Sequence, residues 1–296
     1  MAQGTLVGPG AGAAARRAPL SGALALRISY AGDLRDDART RGRDAYWIGH
    51  AWVGGRKRDA DLRALAARLR GTGIKDLYVH AGPLEHDGTL PASRHPRARW
   101  LVDGVRRELP GVRVQAWLGG VLANGGPTGL RLSGAAPRAA VTASARQVLD
   151  AGFAGVHFDL EPLRSGDADY LALLDDLGRP TRTRTALLSV AAHPIDPLPG
   201  SHSALRLVSD QGKWWSREYF GEVARRVDRI AVMSYDTWMP LESSYGGYVA
   251  RRTGRPAARA GPAPADPGGP LGRPGGFARS VAVSAAGGSG RCRSVG

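Results

Sequence analysis

The sequence predicts an α/β fold, a (β/α)8 TIM-like barrel truncated after strand six, with disordered N- and C-terminal segments. Three observations point to it. Stretches of strand character and of helical apolar period alternate six times between residues 45 and 235, and units of this spacing imply parallel strands with right-handed crossovers. No Gly-rich dinucleotide turn follows the first strand, which argues against a doubly wound sheet. The 296 residues accommodate one barrel, which needs about 250.

Residues 1–43 are rich in Gly, Ala and Arg and carry no sustained period, so they read as a flexible leader. Ala45–Val53 is the first strand. Asp59–Arg70 follows as a helix with Leu62, Leu65, Ala66 and Leu69 on one face. Gly71-Thr72-Gly73 stops it, and Lys75–Ala81 is the second strand. Pro96–Leu109 is a helix, Gly111–Leu118 the third strand, residues 119–135 a Gly-rich loop and Pro137–Ala151 the next helix. Gly152–Glu161 is the fourth strand. A helix over Asp167–Leu177, with Tyr170, Leu171, Leu174 and Leu177 on its apolar face, leads to the fifth, Ala186–His193. Lys213–Arg226 is a helix and Asp228–Tyr235 the sixth strand. The barrel domain is thus expected over 44–249.

Beyond Val249 the pattern collapses. Of residues 250–296, 17 of 47 are Gly or Pro, against 45 of the preceding 249. No strand or helix can be assigned there, so a natural disordered tail competes with a reading-frame shift. The abrupt change after Tyr245-Gly-Gly-Tyr248 favours the shift. Without strands seven and eight, strands one and six are expected to be open edges that invite association.

The formal charge of +15 does not point to nucleic acid. Only Lys57, Lys75 and Lys213 among the 41 basic residues are lysine. The arginines are scattered rather than gathered into a stripe with aromatics, and eight of them lie in the tail. One cysteine, Cys292, excludes an internal disulfide and a cysteine-based metal site. No apolar run approaches the roughly 20 residues of a membrane span. Arg16-Arg17 precedes the weakly apolar Ala18–Leu26, which Arg27 cuts short, so a secretory signal is not read there.

The chemistry concentrates in Phe153–Pro162. Val156, Phe158 and Leu160 alternate with His157, Asp159 and Glu161. A strand has a side-chain period of two, so the titratable set shares one face. Such a face suits the mouth of a parallel barrel, where strand ends carry the reacting groups. Glu161 comes last, before Pro162 stops the strand, in the place expected of a catalytic acid.

Ala154-Gly-Val-His-Phe-Asp-Leu-Glu161 resembles the fourth-strand signature of glycoside hydrolase family 18, the chitinase family, which reads Asp-Gly-x-Asp-x-Asp-x-Glu. Leu118-Gly119-Gly120 resembles that family's Ser-x-Gly-Gly turn, and Met233-Ser-Tyr-Asp236 its Met-x-Tyr-Asp motif. The three fall in the expected order, and the resemblance covers residues 45–249. It implies a carbohydrate substrate, with Glu161 as general acid and the substrate's own 2-acetamido group as nucleophile. It further implies that Asp159 orients and stabilises the intermediate, while Tyr235 and Asp236 hold the acetamido group. Asp159, two residues away, is expected to raise the pKa of Glu161.

The sequence departs from that pattern at His157, at Ala154 and at Trp117, which stand where the family has aspartate, aspartate and serine. An imidazole beneath Asp159 is expected to lock that carboxylate inward as an ion pair and lower its pKa. These departures motivate a second reading, a non-catalytic carbohydrate-binding barrel.

His157, Trp117, Trp238, His80, His193 and Glu242 are candidate substrate contacts. Trp47, Trp52, Trp117 and Trp238 near strand ends suit stacking on a pyranose face, with core filling as the alternative for Trp47. Trp214-Trp215 reads as packing. His50, His80, His157 and His193 converging with the carboxylates would suit a metal-dependent hydrolase. The first strand lacks a His-x-His pair, so neither metal nor cofactor is expected. Gly125-Gly126 is followed by no Lys-Ser/Thr and makes no phosphate loop. A polysaccharide substrate would favour export, which the N-terminus does not establish.

Overall fold

The computed structural model describes residues 42–123, 128–195, 214–233 and 280–284, with positions 27, 28, 243 and 246. The chain divides into two compact units. One joins Met1–Arg39 to Asp236–Arg259; the other, Thr40–Tyr235 with Ala260–Gly296, carries every element that follows.

Strand β1 (Asp44–Ile48) is followed by a 3-10 turn over His50–Trp52 and by helix α1 (Asp59–Leu69). Then come β2 (Ile74–Pro83), α2 (Ala98–Glu108), β3 (Arg113–Val121), α3 (Ala135–Asp150) and β4 (Gly155–Glu161). The series continues with α4 (Ala168–Thr183), β5 (Leu187–Ala192), α5 (Arg217–Arg226), β6 (Arg229–Met233) and β7 (Ser280–Ser284). All seven strands lie in one sheet in sequential order, and each neighbouring pair is parallel.

Side-chain contacts between non-adjacent strands show that this sheet curls into a barrel. Arg229 of β6 forms an ion pair with Asp76 of β2. Four strand spacings separate β2 from β6, about 19 Å in a flat sheet, well beyond the reach of one arginine. The His157 ring of β4 likewise stacks on Tyr78 of β2 with centroids 4.2 Å apart. Alternate side chains point into the concave interior of this curled, part-closed barrel, while the others face the helices.

The outward set is apolar and covered by helices. Leu77, Val79, Ala116, Leu118, Val156, Phe158, Leu188, Val190, Ile230 and Val232 are all buried. They meet helix faces that follow the 3.6-residue period, such as Leu62, Leu65, Ala66 and Leu69 of α1. In α4 the buried set is Tyr170, Leu173, Leu174 and Leu177. Leu171, expected on that face, is only half-buried and Leu173 takes its place, so the stripe is rotated from the expected one. Helix α4 also continues through Pro180 to Thr183, beyond the expected end at Leu177.

Gly49 ends β1 early, and the 3-10 turn occupies the remainder of the expected first strand. Strand β7 lies in a stretch where the sequence period supports no assignment. Its backbone pairs with β6 from Arg229↔Ser280 to Met233↔Ser284. Among the described residues β1 and β7 each pair on one side only.

The interior at the N-terminal end of the strands is polar. Asp76, Gln115 and Ser189 are fully buried. Asp76 accepts hydrogen bonds from Arg113 Nε (3.0 Å), Arg113 Nη2 (2.9 Å) and Gln115 Nε2 (2.8 Å), besides its pairing with Arg229. Ser189 Oγ lies 3.2 Å from Gln115 Oε1 and 3.0 Å from His157 Nδ1. This network forms the floor beneath the candidate site.

Candidate active site

The C-terminal ends of β2, β3 and β4 meet in register, with Pro83 opposite Gly119, Gly119 opposite Asp159 and Val121 opposite Glu161. They border a cleft of 370 Å³ lined by Asp159, Glu161, Gly119, Val121, Glu85 and His86, among others. Two features of the backbone open it. A register shift between His80 and Gly82 re-aims the end of β2; Gly82, at φ 141, adopts a conformation that a side chain would strain. Gly119 has no side chain, and a Cβ there would stand 3.8 Å from the Asp159 carbonyl and 4.0 Å from His80 Nε2.

The alternation in β4 delivers its residues as the period of two requires. Val156, Phe158 and Leu160 enter the helix-facing core, while His157, Asp159 and Glu161 share the interior face. Exposure rises along that face: His157 is 1 % exposed, Asp159 is half-buried and Glu161 is exposed at the strand tip.

Asp159 Oδ2 accepts a hydrogen bond from Trp117 Nε1 at 3.2 Å. Its Oδ1 is buried with no hydrogen-bond partner among the described residues. Burial pushes the Asp159 carboxyl above its usual range, and the indole donor opposes that shift. The Glu161 carboxyl is also raised, first because its walls strip hydration from the anion and then because Asp159 repels its charge. The expected direction therefore holds for Glu161, but burial outranks the neighbouring carboxylate.

The expectation for His157 is overturned. Its imidazole does not pair with Asp159: Nδ1 bonds to Ser189 Oγ at 3.0 Å, and the ring packs on Tyr78 and Trp47. Burial drives its pKa down to about 3, so it is neutral. The Asp159 pKa is raised rather than lowered. Nor does His157 border the cleft as a substrate contact; it lies in the interior below.

This burial has a measurable consequence. The unfolded chain protonates His157 near 6.5 and the folded chain only near 3. Between those values the unfolded state holds the extra proton, so stability falls as pH falls. Full neutrality of His157 predicts a loss of about 2 kcal/mol from pH 7 to pH 5 at this residue. Urea unfolding at the two pH values should show a smaller drop for His157→Gln than for the parent. Equal drops would remove this account.

Trp117 is half-buried, and His80 packs against it in a T-shaped contact at 4.8 Å. The His80 pKa is lowered by burial first, with His50 and Arg94 adding to the effect. His193 is half-buried beside Trp215, at 6.1 Å between ring centroids, and does not border the cleft. Trp47 packs inside on Tyr78 at 4.7 Å, and Trp215 is fully buried, so both are packing residues. Tyr235, Asp236, Trp238 and Glu242 lie outside the described residues. Among the described residues no group of three His, Cys, Asp or Glu side chains could hold a metal ion.

Glu85, His86 and Val121 border the cleft without having been singled out in the sequence. Glu85 is paired with Arg94 at 2.8 Å, and Val121 is 63 % exposed. Only their places just after or at the end of strands could have marked them.

No protein-family model matches this chain, and no curated protein matches it. Among solved structures it is similar to the C-terminal domain of a proposed chitinase from Desulfitobacterium hafniense DCB-2, with TM-score 0.49 and 16% identity, over 71% of this chain and 62% of that one. The class V chitinase of Nicotiana tobaccum gives TM-score 0.47 and 17% identity over 72% of this chain and 64% of that one. For the Group IV chitinase of Ostrinia furnacalis the values are 0.46, 16%, 65% and 51%. This chain spans less than two thirds of each. The reading of the site therefore rests on its own geometry.

Proposed function

We propose that this chain is a glycoside hydrolase that cleaves an N-acetylated glycan, with Glu161 as general acid. The observation that carries this reading is the position of Glu161. It stands at the open tip of β4 on a cleft, and both burial and the Asp159 charge favour its protonated form. A carboxylic acid kept neutral near a bound sugar can protonate a leaving glycosidic oxygen.

In the proposed reaction the substrate's 2-acetamido oxygen attacks the anomeric carbon as Glu161 gives its proton to the departing oxygen. Asp159 stabilises the positive charge that develops on the acetamido group. Glu161, now a base, takes a proton from the water that opens the cyclic intermediate and is thereby restored. Tyr235 and Asp236 are proposed to hold the acetamido group, and Trp238 and Glu242 are proposed as substrate contacts.

A non-catalytic, carbohydrate-binding barrel is the second reading. It is favoured by His157, which is neutral and committed to Ser189, so no acid lies deeper than Asp159 on this face. Oligomers of N-acetylglucosamine and of glucose separate these readings. Calorimetric binding and release of reducing ends should both occur with the acetylated series, and no release with the glucose series, which lacks the internal nucleophile. Binding without release would favour the second reading. Release that stops with a chelator and returns with added zinc would instead support metal-dependent hydrolysis.

A further inference from the structure

We propose that Trp117 is the positioning residue of the Asp159–Glu161 pair, its indole N–H holding Asp159 through a donor that neither gains nor loses a proton. The inference rests on the glycosidic reading for its catalytic consequence, but not for its geometry.

Among the described residues, His157, Glu161 and Trp117 adjoin the Asp159 carboxylate on the interior face, and Tyr170 of α4 feels its charge. Below it, His157 has its Nδ1 engaged by Ser189 and its ring stacked on Tyr78, so it offers Asp159 no bond. Above it stands Glu161, which shares its need for a proton. Across the register, Gly119 faces Asp159, and Trp117 two residues earlier supplies the indole donor at 3.2 Å. That bond occupies Oδ2 only, and Oδ1 has no partner among the described residues.

Trp117 is itself fixed. His80 meets its ring in a T-shaped contact at 4.8 Å, and His50 meets His80 at 6.0 Å. His50 Nε2 in turn bonds to the Arg94 carbonyl. A line of rings thus runs from the end of β1 across β2 and β3 to the carboxylate on β4. An indole N–H taken out of water finds an acceptor, and here that acceptor is the Asp159 carboxylate.

The chemical consequence concerns where a proton can go. An indole N–H donates but does not accept. Asp159 therefore cannot pass a proton inward through Trp117, and neutral His157 makes no bond to it. Among the described residues no hydrogen bond leads a proton inward from Asp159, and the charge of Asp159 raises the Glu161 carboxyl. The indole bond favours the ionised form of Asp159, and that charge in turn favours the protonated form of Glu161, at the outer end of the face.

Carboxyl-carbon NMR titration of protein labelled at Asp and Glu tests this without requiring turnover. In Trp117→Phe, which keeps an aromatic ring against His80 and loses the donor, the Asp159 midpoint should move up. The Glu161 midpoint should move down, because a neutral Asp159 no longer repels it. In the unaltered protein the Trp117 indole N–H resonance should shift with the Asp159 titration, and Asp159→Asn should abolish that pH dependence. The indole measurement decides the question if Trp117→Phe does not fold. An indole resonance indifferent to Asp159, or an Asp159 midpoint unmoved in Trp117→Phe, would overturn the proposal. Coupled titrations in a protein that hydrolyses no glycan would leave it standing while removing the glycosidic reading.

Discussion

Glu161→Gln is expected to lower release of reducing ends from an N-acetylated oligosaccharide by about 10²–10⁴-fold, the range of one general acid, while sugar binding is kept. Glutamine preserves the length and planarity of the side chain and retains an acceptor for sugar hydroxyls. It has no proton to give to the leaving oxygen. The interaction removed exists only as the glycosidic bond breaks, so the loss belongs in kcat with little change in KM. Position 161 is exposed at the strand tip, which makes a folding explanation of the loss easy to exclude by an unchanged urea midpoint. Turnover at the parental rate would sink the assignment. Equal inactivity of parent and variant, with equal binding, would favour the non-catalytic barrel.

What the sequence disclosed and what it hid divide along a physical line. Elements whose identity depends on local period were legible: the alternation in β4 sent Val156, Phe158 and Leu160 to the core and Asp159 and Glu161 to the cleft. Leu62, Leu65, Ala66 and Leu69 likewise marked the buried face of α1. Features that depend on which distant residue answers a polar group were not. Nothing near His157 in sequence announces Ser189 as its partner, so the ion pair with Asp159 was the natural but mistaken expectation. The indole of Trp117 suited sugar stacking; its bond to Asp159, two residues beyond its register partner His157, shows only once β3 and β4 are paired. Strand β7, Ser-Val-Ala-Val-Ser, is too short to stand out in a Gly- and Pro-rich tail; it is recognisable only once β6 supplies its ladder.

The largest stability effect is expected at Asp76, far from the cleft. Its carboxylate is fully buried and receives both arms of Arg113, the amide of Gln115 and the guanidinium of Arg229. Asp76→Ala leaves Gln115 with an unanswered buried amide and the Arg229 side chain, only 14% exposed, with no counter-charge among the described residues. Breaking such a pair from one side costs about 3–5 kcal/mol, a large share of the roughly 5–15 kcal/mol that holds a domain folded. Arg113→Ala should cost less than Arg229→Ala, because its side chain is 40% exposed and water can replace what it gives up. Urea unfolding of the three variants measures the order. An Asp76→Ala protein as stable as the parent would show that the buried charges only offset their own desolvation. The effect should also reach the site, since Gln115 connects Asp76 through Ser189 to His157, two residues below Asp159 on the same face of β4. Loss of the floor is therefore expected to loosen the packing beneath His157, while the ladders to β3 and β5 still hold β4.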